Sequence, residues 1–97
     1  MLAARFAASM ARFRVEDSFV AGPRFAVSGE ILDGVIHAGM VARSADGFEH
    51  TINAVEHVRV AQNELLALAF DLPDPATLDR WKEQLIRGVI LDVMIRH

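Results

Sequence analysis

The chain contains no cysteine and no long hydrophobic run. Without cysteine it can form neither a disulfide nor a thiolate metal site, so packing alone has to hold the fold together. A transmembrane helix needs about 20 apolar residues in succession, and no such run exists, so we expect no membrane partner. The absence of cysteine suits a reducing compartment, and we expect a cytoplasmic protein.

Motifs that mark common enzyme classes are also missing. There is no Gly-x-x-x-x-Gly-Lys-Ser/Thr loop for a nucleotide and no Gly-x-Ser-x-Gly setting for an activated serine. The four histidines are scattered, at His37, His50, His57 and His97. On a regular strand, His50 and His57 would face opposite sides, which disfavours joint metal ligation. The sequence therefore predicts no enzyme, no metal site and no nucleotide or other cofactor.

Positive charge is scarce and consists almost entirely of arginine. Lys82 is the single lysine, and the net charge is −3. Strong non-specific binding to a polyanion needs an excess of cations, because released counterions supply most of that affinity. General attraction to nucleic acid is therefore disfavoured, whereas a few directed arginine contacts remain possible.

A length of 97 residues corresponds to one domain. Arg5 interrupts the apolar residues at the start, so no secretory segment is predicted there. We expect residues 1–11 to form a weakly ordered or short helical lead-in, with an amphipathic anchor as the alternative. Residues 12–97 are expected to form a single β-barrel domain.

From Phe13 to Phe70, strand-like stretches alternate with turn residues every 8–12 positions, which is typical of small barrels. Gly29 lies inside the second stretch, where it indicates a bulge or the close approach of another strand. The fourth stretch does not keep a period of two, so we expect a bend near Asn53. The predicted strands are 12–20, 25–31, 35–42, 48–60, 65–70 and 89–95.

The tail has a helical pattern before its last strand. Asp74 can cap a helix whose first position is Pro75, and apolar residues then recur every three or four positions up to Leu85. Trp81 would pack as a lid over one end of the barrel, or serve as a docking anchor for a partner if it were exposed. The fold class predicted is mainly β: a small closed six-stranded Greek-key-like barrel with one short helix before the last strand.

Several segments carry a family resemblance. The segments are Val15-Glu16-Asp17-Ser18-Phe19, Gly22, Ala26-Val27-Ser28-Gly29-Glu30-Ile31, Gly34-Val35-Ile36-His37-Ala38-Gly39, Val55-Glu56, 61–68 and Ile86-Arg87-Gly88-Val89-Ile90. In this order and spacing they resemble the second domain of translation elongation factors of the Tu type, a β-barrel that follows the GTPase domain. The resemblance runs from about Phe13 to Leu91 and implies a free-standing copy of that domain.

The resemblance implies a function and a site. In these factors the second domain holds the aminoacylated end of transfer RNA, so the chain would be a non-catalytic module that recognises RNA or a translation-associated protein. The residues expected to line the amino-acid end are Glu16, Asp17, Phe19, Ala26 and Ser28. Those expected at the terminal adenosine are Glu56 and Arg59. The glycines expected at turns or close contacts are Gly29, Gly34, Gly39 and Gly88.

Two departures from the family pattern support a different function. Leu65 stands where the family commonly has asparagine, and Glu30 replaces an arginine, which reverses a charge. Together with the net acidity, the charge reversal favours an alternative. In that alternative, the domain is a protein-interaction or self-assembling barrel, such as a homo-oligomer, that binds no RNA.

Overall fold

The computed structural model describes residues 11–61 and 63–95, which form one mainly β domain with seven strands and one helix. The elements are β1 (Ala11–Ala21), β2 (Arg24–Asp33), β3 (Val41–Arg43), β4 (Glu49–Thr51), β5 (Ala54–Val60), β6 (Asn63–Asp71), α1 (Pro75–Gln84) and β7 (Ile90–Met94). The predicted lead-in lies outside the described residues except for Ala11, which begins β1 and pairs with Val93. Within the described part of the chain, no helix is long and apolar enough to cross a membrane.

All seven strands belong to one antiparallel sheet in the order β4-β3-β7-β1-β2-β6-β5. The predicted fold class is confirmed as mainly β with one short helix before the last strand. The predicted closed barrel of six strands is wrong, because within the described residues no ladder joins β4 to β5. The hydrogen-bonded sheet therefore keeps two edges.

The two edges arise from a single stretch of chain that was predicted as one strand. Ile52 N–H donates to the carbonyl of Met40 at 2.7 Å, and Asn53 N–H donates to the carbonyl of Ala69 at 2.7 Å. Consecutive residues are thus tied to opposite ends of the strand order. Only two residues separate β4 from β5, and the two strands pair with different neighbours, β4 with β3 and β5 with β6. Each of them therefore forms one edge of the described sheet.

The bend predicted near Asn53 is present as a bulge. Ala69 is the register partner of Ala54, and its carbonyl also accepts the N–H of Asn53. Two consecutive residues thus face one on the neighbouring strand, which is the arrangement of a β-bulge.

The predicted third strand, 35–42, is mostly a loop, and the observed strand is Val41–Arg43. The chain has to cross from the end of β2 to a position beside β7 before it can pair. Gly39 interrupts the extended conformation with φ of +96°, and its N–H donates to the carbonyl of Ile52. A positive φ suits glycine, which has no Cβ to clash with the backbone.

The interior is filled by alternate residues of the long strands, and the sheet curls so that its two halves meet. The fully buried large side chains are Phe13, Val15, Phe25, Val27, Phe48, Ile52, Leu68, Phe70, Leu85, Leu91 and Val93. Phe48, between β3 and β4, packs edge-on against Phe70 of β6 with ring centroids 5.3 Å apart. This contact joins elements from opposite ends of the strand order.

Helix α1 covers one end of the curled sheet. Its predicted cap is observed, because the Asp74 carboxylate accepts the Thr77 N–H and Pro75 is the first helical residue. Trp81 is buried and packs edge-on against Phe25, Phe48 and Phe70. The indole is therefore a lid over the core and is not exposed as a docking anchor.

Candidate binding face

Two rows of side chains cross four neighbouring strands on the outer side of the sheet. The strand registers align Phe19, Ala26, Ala69 and Ala54 in one row. They align Asp17, Ser28, Ala67 and Glu56 in the next row. We call these eight residues the small-residue face. Five of the seven predicted site residues lie in it: Asp17, Phe19, Ala26, Ser28 and Glu56.

A bulge in β1 turns its part of the face outward. Val15 is buried in the core, and in a regular strand residue 17 would face the same side as residue 15. The register shifts between Val15 and Asp17, so Glu16 is the additional residue. As a result, Asp17 lies opposite Ser28 and Phe19 lies opposite Ala26 on the outer side of the sheet.

The face has a low floor and a raised rim. Ala26, Ser28, Ala67 and Ala69 form the floor, and each is at most 6% exposed. Phe19 stands beside this floor with 42% of its surface exposed. Neighbouring strands lie about 4.8 Å apart, so the four strands place the backbones of Asp17 and Glu56 roughly 14 Å apart. The face is thus wide enough for a small flat group bounded by an aromatic ring and two carboxylates.

The Asp17 segment is held by its own hydrogen bonds. Ser18 N–H donates to Asp17 Oδ1 at 2.8 Å, and Ser28 Oγ donates to the Asp17 carbonyl at 3.5 Å. In the part of the chain that the structure describes, neither Asp17 nor Glu56 forms an ion pair. Both carboxylates can therefore accept hydrogen bonds from a cationic ligand group.

The other two predicted site residues lie elsewhere. Glu16 Oε2 is 3.5 Å from Arg14 Nε, and Glu16 lines a cleft of about 310 Å³ beside Arg87 at the end of α1. Arg59 follows Glu56 by three positions on β5, so it faces the opposite side of that strand. Its Nη2 lies 3.7 Å from Glu64 Oε2. The structure therefore does not bring Glu16 or Arg59 together with the five residues of the face.

Three members of the face were not predicted: Ala54, Ala67 and Ala69. Residues 65–70 are all apolar, which is typical of a strand buried on both sides, and residues 67–70 are all buried. The available signal was the alternation of large and small residues, with Leu66, Leu68 and Phe70 separated by alanine. Such alternation indicates that large side chains pack on one side of β6 and that only small side chains line its other side.

A further row of side chains, away from the small-residue face, has alternating charges. This row crosses five strands as Glu49, Arg43, Asp92, Arg12 and Asp33. Arg43 pairs with Glu49 at 3.0 Å, and Arg12 pairs with Asp33 at 3.0 Å. Because Arg43 and Arg12 are each paired with a carboxylate, these two ion pairs offer less to a charged ligand than the carboxylates of the small-residue face.

A cleft of about 470 Å³ lies along β3, β4 and β7, with His50 in its lining. Partial burial against the rings of Phe48 and Trp81 lowers the pKa of His50 below its usual 6.5, and the nearby Glu49 carboxylate opposes this shift. The imidazole is therefore mainly neutral at pH near 7. Among residues 11–61 and 63–95, no group of three or more His, Asp or Glu side chains is placed to hold a metal ion.

Comparison of the chain with family models, with curated proteins and with solved structures gives no match.

Proposed function

We propose that this chain is a non-catalytic binding module of the cytoplasm, a free-standing relative of the second domain of Tu-type elongation factors. In this proposal, the small-residue face receives the aminoacylated end of a transfer RNA. The observation that carries the proposal is the pair of rows that aligns Asp17 and Phe19 with Ala26, Ser28 and Glu56 across four strands.

The chemistry of the face suits such a ligand. Asp17 and Glu56 have carboxylates without an ion-pair partner among the described residues, and these can accept hydrogen bonds from an α-ammonium group. Phe19 exposes a ring on which an apolar side chain or a base can stack. The buried floor of small side chains allows a flat group to approach the sheet closely. The proposed ligand presents an ammonium group, a side chain and a base together.

The relation to the elongation-factor domain rests on the order of elements. The segments of the resemblance in β1, β2, β5 and β6 lie mostly on strands, whereas 34–39 is a loop, and five of the seven predicted site residues, from β1, β2 and β5, meet on one side of the sheet. The two edge strands, β4 and β5, are separated by two residues only. The two ends of the sheet are therefore close together, although no ladder joins them among the described residues.

The test is an electrophoretic mobility shift with aminoacylated and uncharged transfer RNA at about 50 mM salt, where electrostatic binding is strong. We expect a shift that is stronger for the aminoacylated form. Glu56→Gln should weaken this preference, whereas Glu83→Gln on the exposed side of α1 changes the net charge equally and should not. Equal binding of both forms, or no binding, would contradict the proposal.

A second candidate function is supported by the charge of the same face. Both charged residues in its two rows are acidic, and the chain carries a net charge of −3. A basic peptide segment of a protein partner would meet less repulsion there than the phosphates of RNA. If no RNA shift is seen, binding of an arginine-rich peptide that Glu56→Gln weakens and Glu83→Gln does not would favour this protein-interaction function.

A further inference from the structure

Among the residues that the structure describes, β5 is a long edge strand with one side of its backbone unpaired. It runs for seven residues, Ala54–Val60, and in the described part of the chain it pairs with β6 only. The other edge strand, β4, is three residues long. Natural sheets protect their edges with short strands, charged side chains, proline or bulges. β4 is protected by its shortness, whereas β5 is seven residues long, contains three valines and no proline, and has its bulge at its first residue. Its charged side chains are Glu56 and Arg59, and in the pairing proposed below neither lies opposite a like charge.

The hydrogen bonding of β5 shows which of its backbone groups are free. The Ala69 carbonyl accepts from Asn53 N–H, so this carbonyl points toward β5. Ala69 is paired with Ala54, which makes this a hydrogen-bonded pair, and such pairs alternate along an antiparallel ladder. The N–H and C=O groups that point toward β6 are therefore those of residues 54, 56, 58 and 60. Those of Val55, His57 and Arg59 point away from the sheet.

This pattern is complementary to itself. A second β5 strand can pair antiparallel only if residues 55, 57 and 59 of one copy face residues 55, 57 and 59 of the other. When the two-fold axis passes through His57, all seven residues of each strand find a partner. Val55 then lies opposite Arg59, and Glu56 lies opposite Val58. His57 is the middle residue of β5, and it is also the middle one of the three residues whose backbone groups point away from β6.

The neighbouring symmetric registers are less favourable. An axis through Glu56 places two glutamates directly opposite each other, and like charges directly opposite in a ladder are destabilising. An axis through Val58 pairs only residues 56–60 of each copy. Both shifted registers also leave part of the strand without a partner. We therefore propose that this chain forms a symmetric homodimer through β5, with His57 of each copy on the two-fold axis.

Such a dimer joins two sheets into one and extends the outer surface across the axis. Ala54 and Glu56 lie on the small-residue face, so the faces of the two copies would lie side by side. The dimer does not require RNA binding, and its test does not depend on the proposed ligand.

The first test measures mass by sedimentation equilibrium on the full chain, at concentrations up to the millimolar range. We expect a mass that rises with concentration from 10.7 kDa toward twice that value. His57→Pro removes an N–H that points away from β6, so the fold is retained while pairing between copies is blocked. This variant should raise the dimer dissociation constant about 100-fold or more, since it removes central hydrogen bonds of the shared ladder. A chain that stays monomeric, or a dimer that persists in folded His57→Pro, would overturn the proposal.

The second test uses the absence of cysteine in the natural chain. In the proposed register, the two residues 57 have Cα atoms about 5.5 Å apart, which is within the range of a disulfide. His57→Cys should therefore form a covalent dimer under mild oxidation. Arg59→Cys on the same strand is the matched control, because its two copies would be about 14 Å apart. Covalent dimers that form equally fast at both positions would show that the register is wrong.

Discussion

The imidazole of His50 lies against the indole of Trp81, with ring centroids 4.5 Å apart and planes inclined by 51°. Phe48 packs on both, at 5.0 Å from the imidazole and 5.1 Å from the indole. This cluster links β4 to α1 and closes one end of the core.

The cluster makes the stability of the fold depend on pH. Burial lowers the pKa of His50 below 6.5, so the unfolded chain takes up this proton at a higher pH than the folded chain. The free energy of unfolding should therefore decrease as the pH falls through about 6.5 toward the lowered pKa. An NMR titration of the His50 imidazole checks this, and a midpoint at or above 6.5 would contradict it. In Trp81→Ala the midpoint should move upward, because the ring that buries the imidazole is gone.

Trp81→Ala should lower the free energy of unfolding by about 3–5 kcal/mol, the range for a large buried aromatic side chain. The indole contacts three core phenylalanines, and its loss leaves a cavity under α1. Urea denaturation followed by circular dichroism measures the change. Arg80→Ala, at the preceding exposed position of the helix, should change stability by less than about 0.5 kcal/mol. Equal effects of both substitutions would show that the indole does not stabilise the core.

Gly29→Ala should be among the most damaging small substitutions in the chain. A Cβ at this position would overlap the carbonyl oxygen of Arg14 and lie 3.0 Å from the Phe13 ring. We expect a loss of about 3 kcal/mol or more, at the upper end for overpacked sites. The control is Gly22→Ala, where φ is +60° and no atom lies within 4 Å, so only a backbone penalty of about 1–2 kcal/mol is expected. Thermal unfolding of the two variants should rank them in this order, and the reverse order would refute the steric argument.

The start of α1 should weaken in acid. The Thr77 hydroxyl donates to Asp74 Oδ1 at 2.7 Å, and this hydrogen bond, aided by the Thr77 N–H, lowers the pKa of Asp74 below 3.8. The stabilisation is therefore present above about pH 4 and is lost as the pH falls through the lowered pKa. Carboxyl-detected NMR should find the Asp74 midpoint below 3.8 and should find it raised in Thr77→Val. An unchanged midpoint in Thr77→Val would show that the hydroxyl does not contribute.

Much of the local structure could be predicted because its causes lie within a few residues. The predicted second strand, 25–31, lies within β2, because the alternation of Phe25 and Val27 with the smaller Ala26 and Ser28 is typical of a strand. The cap of α1 follows from Asp74 followed by Pro75, whose chemistry acts within one helical turn. The position of Gly29 indicated a close approach of another strand, and the Arg14 carbonyl is that contact.

Five of the seven predicted site residues lie on one side of the sheet, and the other two lie elsewhere. Asp17, Phe19, Ala26, Ser28 and Glu56 meet because the registers of three strand pairs align them. Arg59 faces the other side of β5, since three positions separate it from Glu56. Ala67 and Ala69 of the floor were not predicted, because a small side chain has no polar group that would indicate a binding site.

The linear order of amino acids set the elements: where strands alternate, where glycine lets the backbone turn or approach, and where the helix begins. The way in which the two edge strands, β4 and β5, are joined and paired could not be predicted from that order. Ile52 and Asn53 pair with residues 12 and 16 positions away in opposite directions along the chain. The Asn53 side-chain amide also donates to Asp71 Oδ1 at 2.8 Å, but this hydrogen bond can form only after β6 lies beside it. Such partners are chosen when the whole sheet curls around its core, because hydrogen bonds between distant segments form only where packing brings those segments together.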